Sequence, residues 1–293
     1  MVAQDLVPET LRSYRGQIQA FVKHVDAANF LKIGDTELQT YLATLRRAKR
    51  AASTVNGHFC ALASFYGYLE HRGIVTKDPV PNFRRFYLKN TRSKAKRQRA
   101  RRQSIDPERA AAFLVSIGDI QTRAMVATLL KTGIRREELS GINMEDIDWH
   151  NLEIEISLHP KRSQGTVCFD DELARLLRRW LSIRRLYADP ESGPLFVNSH
   201  GRRMGRNGIY ARFVAAAQAN GLHDPNGPTH RRFTPHCARH CFTRWLRKTG
   251  MPDHVIAHLR GDAESSMVDV YDQLDPEDVR TTYRAYMPRL GVA

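Results

Sequence analysis

Residues Thr234–Tyr271 read TPHCARHCFTRWLRKTGMPDHVIAHLRGDAESSMVDVY and carry the densest functional pattern in this 293-residue chain. A Thr-Pro pair opens a helical pattern in which His236, Arg239 and His240 fall at positions i, i+3 and i+4. This spacing places the three side chains on one helical face, close to a helix N-terminus that favours anions. The stretch ends in a tyrosine that follows a short apolar pattern.

A second basic motif, TGIRREEL, lies about a hundred residues upstream at Thr132–Leu139. Gly133 fits the C-cap of a preceding helix, and Arg135 then stands in a turn that aims it toward a cleft. Glu138 follows three residues later and can brace the guanidinium group. The alternative interpretation is a surface arginine–glutamate pair at helical spacing, which is common and weak.

Two separated arginines, a histidine and a late tyrosine match the needs of phosphodiester cleavage by a tyrosine. The reaction requires charge neutralisation at the phosphate, a proton for the leaving 5′-oxygen and an in-line nucleophile. Without a metal ion, guanidinium groups must supply the charge, because they stay protonated and donate paired hydrogen bonds. Arg135 and Arg239 can supply this charge and Tyr271 a hydroxyl nucleophile, and His236 lies beside Arg239 on the same helical face.

Each of these residues also has a less specific interpretation. The histidine face is open to a structural role, and His236, Cys237, His240 and Cys241 together are a weak candidate for zinc. The two histidines and the two cysteines point about 100° apart on a helix, which disfavours the metal. Tyr283 and Tyr286 are rival nucleophiles, but their spacing with Val279 and Met287 is typical of packing.

The charge of the chain, +15 with an isoelectric point of about 10.0, predicts a polyanionic partner. Residues 1–104 hold 20 basic and 7 acidic residues, whereas residues 105–293 hold 26 and 24. No apolar run is long enough for a membrane span and no signal-peptide pattern is present, so a membrane partner is not expected. The scattered cysteines and the missing signal predict a cytoplasmic protein.

The apolar patterns predict a mainly helical protein with a small β-sheet, divided into three segments. Residues 1–88 form an all-helical domain with helices starting at Thr10, at Asp35 and near Ser53, and Gly73 with prolines 79 and 81 ends this unit. Residues 89–104 form a basic linker. Residues 105–293 form an α+β domain, with a helical pattern from Asp106 to Thr132 and strands at Leu152–Leu158 and Thr166–Phe169. Later helices are expected at 171–185, 207–220, 234–248, 253–259, 265–274 and in the tail from Asp275 to Leu290.

The linker carries eight basic residues and no apolar periodicity, so it is at least a solvated connection between domains. So dense a positive charge also predicts contact with a DNA backbone. The candidate DNA-binding residues are Lys89, Arg92, Lys94, Lys96, Arg97, Arg99, Arg101 and Arg102.

The motifs, in this order, resemble the tyrosine recombinase (phage integrase) family. The resemblance covers nearly the whole chain: residues 1–88 are similar to the core-binding domain and residues 105–293 to the catalytic domain. It implies catalytic roles for Arg135, His236, Arg239 and Tyr271, supporting roles for Glu138 and His240, and a C-shaped clamp on double-stranded DNA. It implies no metal, ATP or other cofactor.

The family's general acid is a lysine in a β-hairpin turn, and Lys161 in the turn HPKRSQG (159–165) matches that place. Pro160 departs from the glycine usual before it, and a solvated turn lysine is the alternative. A larger departure is Asp262, nine residues before Tyr271, where the family has histidine or tryptophan. An aspartate would repel a phosphate unless it is protonated, turned away or paired with an arginine such as Arg260. We interpret it as an acceptor that orients a neighbour.

The leading hypothesis is a site-specific recombinase or integrase that acts through a 3′-phosphotyrosyl link and exchanges strands between duplexes. Resemblance implies a tetramer on DNA, with the tail helix as a candidate for docking on a neighbouring protomer, and nucleoid association in a prokaryote or virus. The need for an accessory DNA-bending protein is left open. The alternatives are a type IB topoisomerase-like enzyme and a DNA-binding protein that has lost catalysis, of which Asp262 would be the sign. The charge also fits RNA, but no RNA-binding motif is visible.

Overall fold

The chain, described here from a computed structural model, divides into two compact units, Met1–Arg99 and Ala100–Ala293. The structure describes residues 6–26, 29–89, 103–157, 165–189, 191, 193–262 and 274–292. Over these residues the fold is mainly helical with one small sheet, which confirms the predicted fold class. None of the helices in these ranges is long and apolar enough to cross a membrane. The predicted linker falls mostly outside them, so its bounds stay a prediction.

The first unit is a helical bundle around an aromatic core. Its helices are α1 (Pro8–Val25), α2 (Asp35–Arg47), α3 (Ala52–His71) and α4 (Val80–Tyr87). Helix α3 turns an apolar stripe toward the core, since Val55, Phe59, Leu62, Tyr66 and Leu69 are all buried. The ring of Phe59 stacks on Phe83 of α4 with the centroids 5.2 Å apart, which fixes α4 against α3.

Two boundaries predicted for this unit are wrong, and proline explains both. Helix α1 begins at Pro8 with Val7 at the N-cap, three residues before the predicted cap at Thr10. Pro79 and Pro81 do not end the unit but start α4, with Pro79 at its N-cap and Pro81 in its first turn. Proline is favoured in a first turn because the N–H it lacks has no helical partner there.

The second unit combines helices with a three-stranded antiparallel sheet. Its helices are α5 (Pro107–Ser116), α6 (Ile120–Thr132), α7 (Arg136–Gly141), α8 (Asp171–Arg184), α9 (Arg206–Ala219), α10 (Pro235–Lys248), α11 (Asp253–Arg260) and α12 (Pro276–Tyr286). Its strands are β1 (Ile147–Asp148), β2 (Glu153–Glu155) and β3 (Thr166–Cys168), in the order β1-β2-β3. Ile154 pairs with Ile147 on one side and with Val167 on the other.

The helix predicted from Asp106 to Thr132 is interrupted. Its start is confirmed, because the Asp106 carboxylate accepts the Arg109 N–H at 2.8 Å. The helix stops at Ser116, and a new one begins at Ile120 with Asp119 capping the Thr122 N–H at 3.0 Å. An aspartate after a glycine was the available signal for this restart. Strand β1 was not predicted, because a two-residue strand leaves no alternating pattern.

Gly133 ends α6 and is held against α10. Its φ of 62° lies in the left-handed region, as the predicted C-cap requires. A β-carbon at this position would lie 2.7 Å from Cγ of Phe242, a buried residue of α10. Glycine is therefore required twice, for its backbone angle and for the close approach of the two helices.

The tail packs on its own domain. The Asp275 carboxylate accepts the Glu277 N–H at 2.7 Å, which confirms the predicted helix start. Tyr283 is fully buried and donates its hydroxyl to the Lys131 carbonyl at 2.7 Å. In this single chain α12 lies in cis, so docking on a neighbour stays a proposal for the assembled state.

Lys131 is the buried cation that anchors the end of the tail. Its Nζ donates to Asp170 and Glu172 at 2.6 Å each and to the Pro288 carbonyl at 2.9 Å. Glu172 also accepts the N–H groups of Leu290 (2.8 Å) and Gly291. Burial alone would raise the pKa of Glu172, but these hydrogen bonds outweigh it and hold the pKa below the usual 4.5.

The Gly133→Ala variant should lose about 2–4 kcal/mol of unfolding free energy, because it combines backbone strain with a clash against Phe242. Denaturant unfolding measures the loss. Gly118→Ala is the matched control, since a β-carbon at Gly118 meets no atom within 4 Å. Equal stability of the two variants would contradict the tight packing described for Gly133.

The Lys131→Met variant should lose about 3–5 kcal/mol of unfolding free energy, because the buried Glu172 and the partly buried Asp170 would be left without their cation. Lys248→Met, at an exposed position, is the control. The stabilisation of Glu172 is complete above its unfolded pKa of about 4.5 and is lost as pH falls through the lower folded value. The difference between wild type and Lys131→Met should therefore shrink in acid. A constant difference from pH 7 to pH 3 would contradict the ion-pair account.

Candidate active site

Arg135 stands in the turn between α6 and α7 and is braced by Glu138, as the sequence predicts. Its Nη1 donates to Glu138 Oε1 at 2.8 Å, and its backbone N–H donates to Oε2 at 2.6 Å. The Glu138 side chain is only 3% exposed, while that of Arg135 is 30% exposed. A pair with a buried carboxylate that also caps a helix is not the surface pair of the alternative interpretation.

Arg239 comes from the first turns of α10 and is almost completely buried, with 5% of its side chain exposed. Its Nη1 donates to the Gly133 carbonyl at 2.7 Å, and its Nη2 donates to the Arg260 carbonyl at 2.8 Å. Burial and, next, the charge of Arg135 lower the pKa of Arg239 to about 10. This pKa still leaves the guanidinium protonated at neutral pH.

Asp262 joins the two arginines. Its Oδ1 accepts Nη2 of Arg239 at 2.7 Å and Nη2 of Arg135 at 3.1 Å, and its Oδ2 pairs with Arg260 at 3.0 Å. Of the three possibilities named for Asp262, the structure shows pairing with arginine, and it pairs with Arg135 and Arg239 as well as with Arg260. Two guanidinium groups from separate elements therefore converge on one oxygen, which is the geometry of an oxyanion site.

A cavity of about 370 Å³ opens beside this pair. Its lining includes Arg135, Arg239 and His236, so the structure brings together the three sequence-predicted residues that come from α10 and the Arg135 turn. His236 and His240 are both exposed, and their rings meet edge to face with centroids 4.8 Å apart. His236 thus faces the cavity with His240 packed against it one helical turn later.

The structure argues against two alternative interpretations, a zinc site on α10 and Tyr283 as the nucleophile. Cys237 and Cys241 are buried in the core of the domain, while His236 and His240 lie at the surface, so the four side chains do not converge. Tyr283 is equally unsuited to act as a nucleophile. It is fully buried, and burial raises its pKa well above the usual 10.

A further side of the cavity is formed by α9 and was not predicted from the sequence. Tyr210 of α9 lines it, and the Arg136 guanidinium lies 5.5 Å from the centre of that ring. Arg206, one turn before Tyr210, pairs with Glu137 at 2.9 Å. The Arg206–Tyr210 spacing carries no signal of its own, because an exposed helix face produces the same pattern.

The remaining predicted residues lie outside the described part of the chain. These are Lys161, Tyr271 and seven of the linker residues, namely Arg92, Lys94, Lys96, Arg97, Arg99, Arg101 and Arg102. Lys89 is described and follows α4 closely. The roles of these residues stay predictions from the sequence.

Comparison with protein families covers both units. The model of the phage integrase family matches residues 106–278, and that of the phage integrase N-terminal SAM-like domain matches residues 1–75. Tyrosine recombinase XerC of Pseudomonas syringae pv. syringae (strain B728a) is 24% identical over 299 residues, covering 98% of this chain and 92% of the relative. Tyrosine recombinase XerD of Oceanobacillus iheyensis is 23% identical and covers 98% and 95%.

Two solved structures share the fold. The Tn1549 transposon integrase in complex with circular intermediate DNA aligns with a TM-score of 0.70 and 18% identity over 94% of each chain. A lambda integrase dimer bound to a COC′ core site aligns with a TM-score of 0.68 and 15% identity over 94% of each chain. The family match over the catalytic motifs and the shared fold agree with the arginine site, and the chain belongs to the phage integrase family, whose members are tyrosine-type DNA strand-transfer enzymes.

Proposed function

We propose that this chain is a site-specific DNA recombinase that cleaves and rejoins duplex DNA through a 3′-phosphotyrosyl intermediate on Tyr271. The observation that carries the proposal is the convergence of Arg135 and Arg239 on a single oxygen at 3.1 and 2.7 Å. Fixed guanidinium donors aimed at one point stabilise the charge that develops on a phosphate during phosphoryl transfer. The relatives named as recombinases and the DNA-bound integrases of the same fold support DNA as the substrate.

Each site residue has a distinct task in this mechanism. Arg135 and Arg239 hold the non-bridging oxygens of the scissile phosphate, and His236 contacts the same phosphate and relays a proton. The Tyr271 oxygen attacks phosphorus in line and passes its hydroxyl proton to His236, while the bond to the 5′-oxygen of the next nucleotide breaks. Lys161 protonates that leaving oxygen. Positive charge from arginine replaces the metal ion of other phosphoryl-transfer sites, so neither metal nor ATP is required.

Strand exchange follows because the phosphotyrosyl bond conserves the energy of the broken phosphodiester. The free 5′-hydroxyl of a partner duplex attacks the 3′-phosphotyrosyl bond, joins to its phosphorus and releases Tyr271. Rejoining to a different duplex gives recombination, and rejoining to the original strand gives relaxation. We propose that the exchange takes place in a tetramer bound to DNA in the cytoplasm. The proposal applies with or without a DNA-bending partner.

A DNA-binding protein without catalysis is the second candidate, and the position of Asp262 is the observation that favours it. Its carboxylate occupies the point on which Arg135 and Arg239 converge. This candidate predicts DNA binding without a covalent product. A covalent product separates the two candidates.

The wild-type protein, mixed with fragmented DNA from its source in a chelator and quenched with detergent, should yield covalent adducts at a defined sequence. Tyr271→Phe should bind the same DNA and give no adduct. Tyr286→Phe is the control, because it removes the hydroxyl of a rival tyrosine, and it should react like the wild type. Sequencing of the trapped DNA gives the target site. Adducts formed equally well by Tyr271→Phe would sink the nucleophile assignment, and tight binding without any adduct would favour the second candidate.

Arg135→Ala and Arg239→Ala should each slow adduct formation on the order of a hundredfold or more, the scale of losing one transition-state donor. Single-turnover kinetics on the trapped target site measure the rates. Arg247→Ala is the matched control on α10, because Arg247 pairs with Asp253 at an exposed position. Full activity of either arginine variant would refute the assigned roles.

A further inference from the structure

The anion site is crowded, because both hydrogens on Nη2 of Arg239 already have acceptors. Nη2 has two hydrogens, and it donates to two acceptors, the Arg260 carbonyl at 2.8 Å and Asp262 Oδ1 at 2.7 Å. Nη1 directs one of its two hydrogens to the Gly133 carbonyl at 2.7 Å. An incoming phosphate therefore takes a hydrogen bond from Nη2 only by displacing one of its two acceptors.

Asp262 is the acceptor that can leave. The Arg260 oxygen belongs to the backbone at the end of α11 and moves only with that helix. The Asp262 carboxylate is a side chain that is 32% exposed, so rotation about its own bonds is enough to release Arg239. Its second oxygen is already paired with the Arg260 side chain at 3.0 Å, which gives the displaced carboxylate a cation to stay with.

Charge points to the same conclusion. Three guanidinium groups, from Arg135, Arg239 and Arg260, face two carboxylates, Asp262 and Glu138. Glu138 is fixed, because it is buried and also caps the turn of Arg135. A phosphate and the Asp262 carboxylate are both anions, and they cannot share the space between Arg135 and Arg239 without strong repulsion.

We infer that Asp262 is an internal counter-anion that occupies the phosphate position between Arg135 and Arg239, and that a substrate phosphate must displace it toward Arg260. This inference rests on the proposed function, since it assumes that the arginine pair receives the scissile phosphate. It goes further by assigning to Asp262 a competitive role that sets the affinity of the site. The carboxylate keeps the two arginines aligned when DNA is absent and lowers their affinity for any phosphate.

Inorganic phosphate tests the inference without DNA or catalysis. Isothermal titration calorimetry on the full chain should show that Asp262→Asn binds phosphate about ten- to a hundredfold more tightly than wild type, because a charge-assisted competitor is lost. Asp253→Asn, which removes an exposed carboxylate paired with Arg247 at the start of α11, should bind like wild type. Addition of Arg239→Ala to Asp262→Asn should abolish the gain.

A second neutral variant ensures that the test does not depend on the folding of a single variant protein. Asp262→Ser removes the carboxylate with a smaller side chain and should give the same gain in phosphate affinity. Thermal unfolding and circular dichroism establish that each variant is folded before titration. A merely structural role for Asp262 would lower the melting temperature without raising phosphate affinity. Unchanged or weaker phosphate binding by both folded variants would overturn the inference.

DNA cleavage provides the arm that separates this inference from the proposed function. At subsaturating target DNA, Asp262→Asn should form adducts faster than wild type, and the gain should appear in the half-saturating DNA concentration. If neither protein forms adducts while the phosphate titrations behave as expected, the proposed function fails and the counter-anion role stands. If adducts form but Asp262→Asn needs as much DNA as wild type or more, the counter-anion role fails and the proposed function stands.

Discussion

The buried guanidinium of Arg239 is the constraint on which the site depends. A guanidinium with 5% of its side chain exposed must be hydrogen-bonded and paired with an anion, because an unpaired buried charge costs a large amount of free energy. The chain meets this requirement with two carbonyls, those of Gly133 and Arg260, and with the Asp262 carboxylate. These three acceptors come from the C-cap of α6, the last residue of α11 and the second residue after it. Pairing of one side chain thus fixes two segments relative to α10 and, through Asp262, fixes Arg135 as well.

Packing around that guanidinium explains why the site is rigid. Gly133 brings α6 against Phe242 of α10, and a larger residue would push the carbonyl away from Arg239. Two residues earlier, Lys131 binds Asp170 and Glu172 and holds the tail through the Pro288 carbonyl. The C-terminal end of α6 therefore contacts the anion site through Gly133 and the tail through Lys131. A change in the packing of the tail would alter the contacts of Lys131, which lies four residues before Arg135.

The sequence predicted the residues of the site better than their arrangement. The helix starts at Asp106 and Asp275, the C-cap at Gly133 and the brace from Glu138 follow local rules, and the structure confirms all four. The break before Ile120 was missed because an apolar pattern runs across it, and α4 because proline was taken as an end signal. The bridge from Asp262 to Arg135 and Arg239 depends on tertiary contacts, and Tyr210 reaches the cavity from a helix without any motif. Such long-range contacts leave no trace in local spacing.

The most direct test of the account is a structure of the Tyr271→Phe variant bound to duplex DNA that carries its target site. We expect the scissile phosphate to lie within hydrogen-bonding distance of Nη2 of both Arg135 and Arg239, with the Asp262 carboxylate turned onto Arg260. A scissile phosphate bound elsewhere, with Asp262 still between the two arginines, would contradict the account.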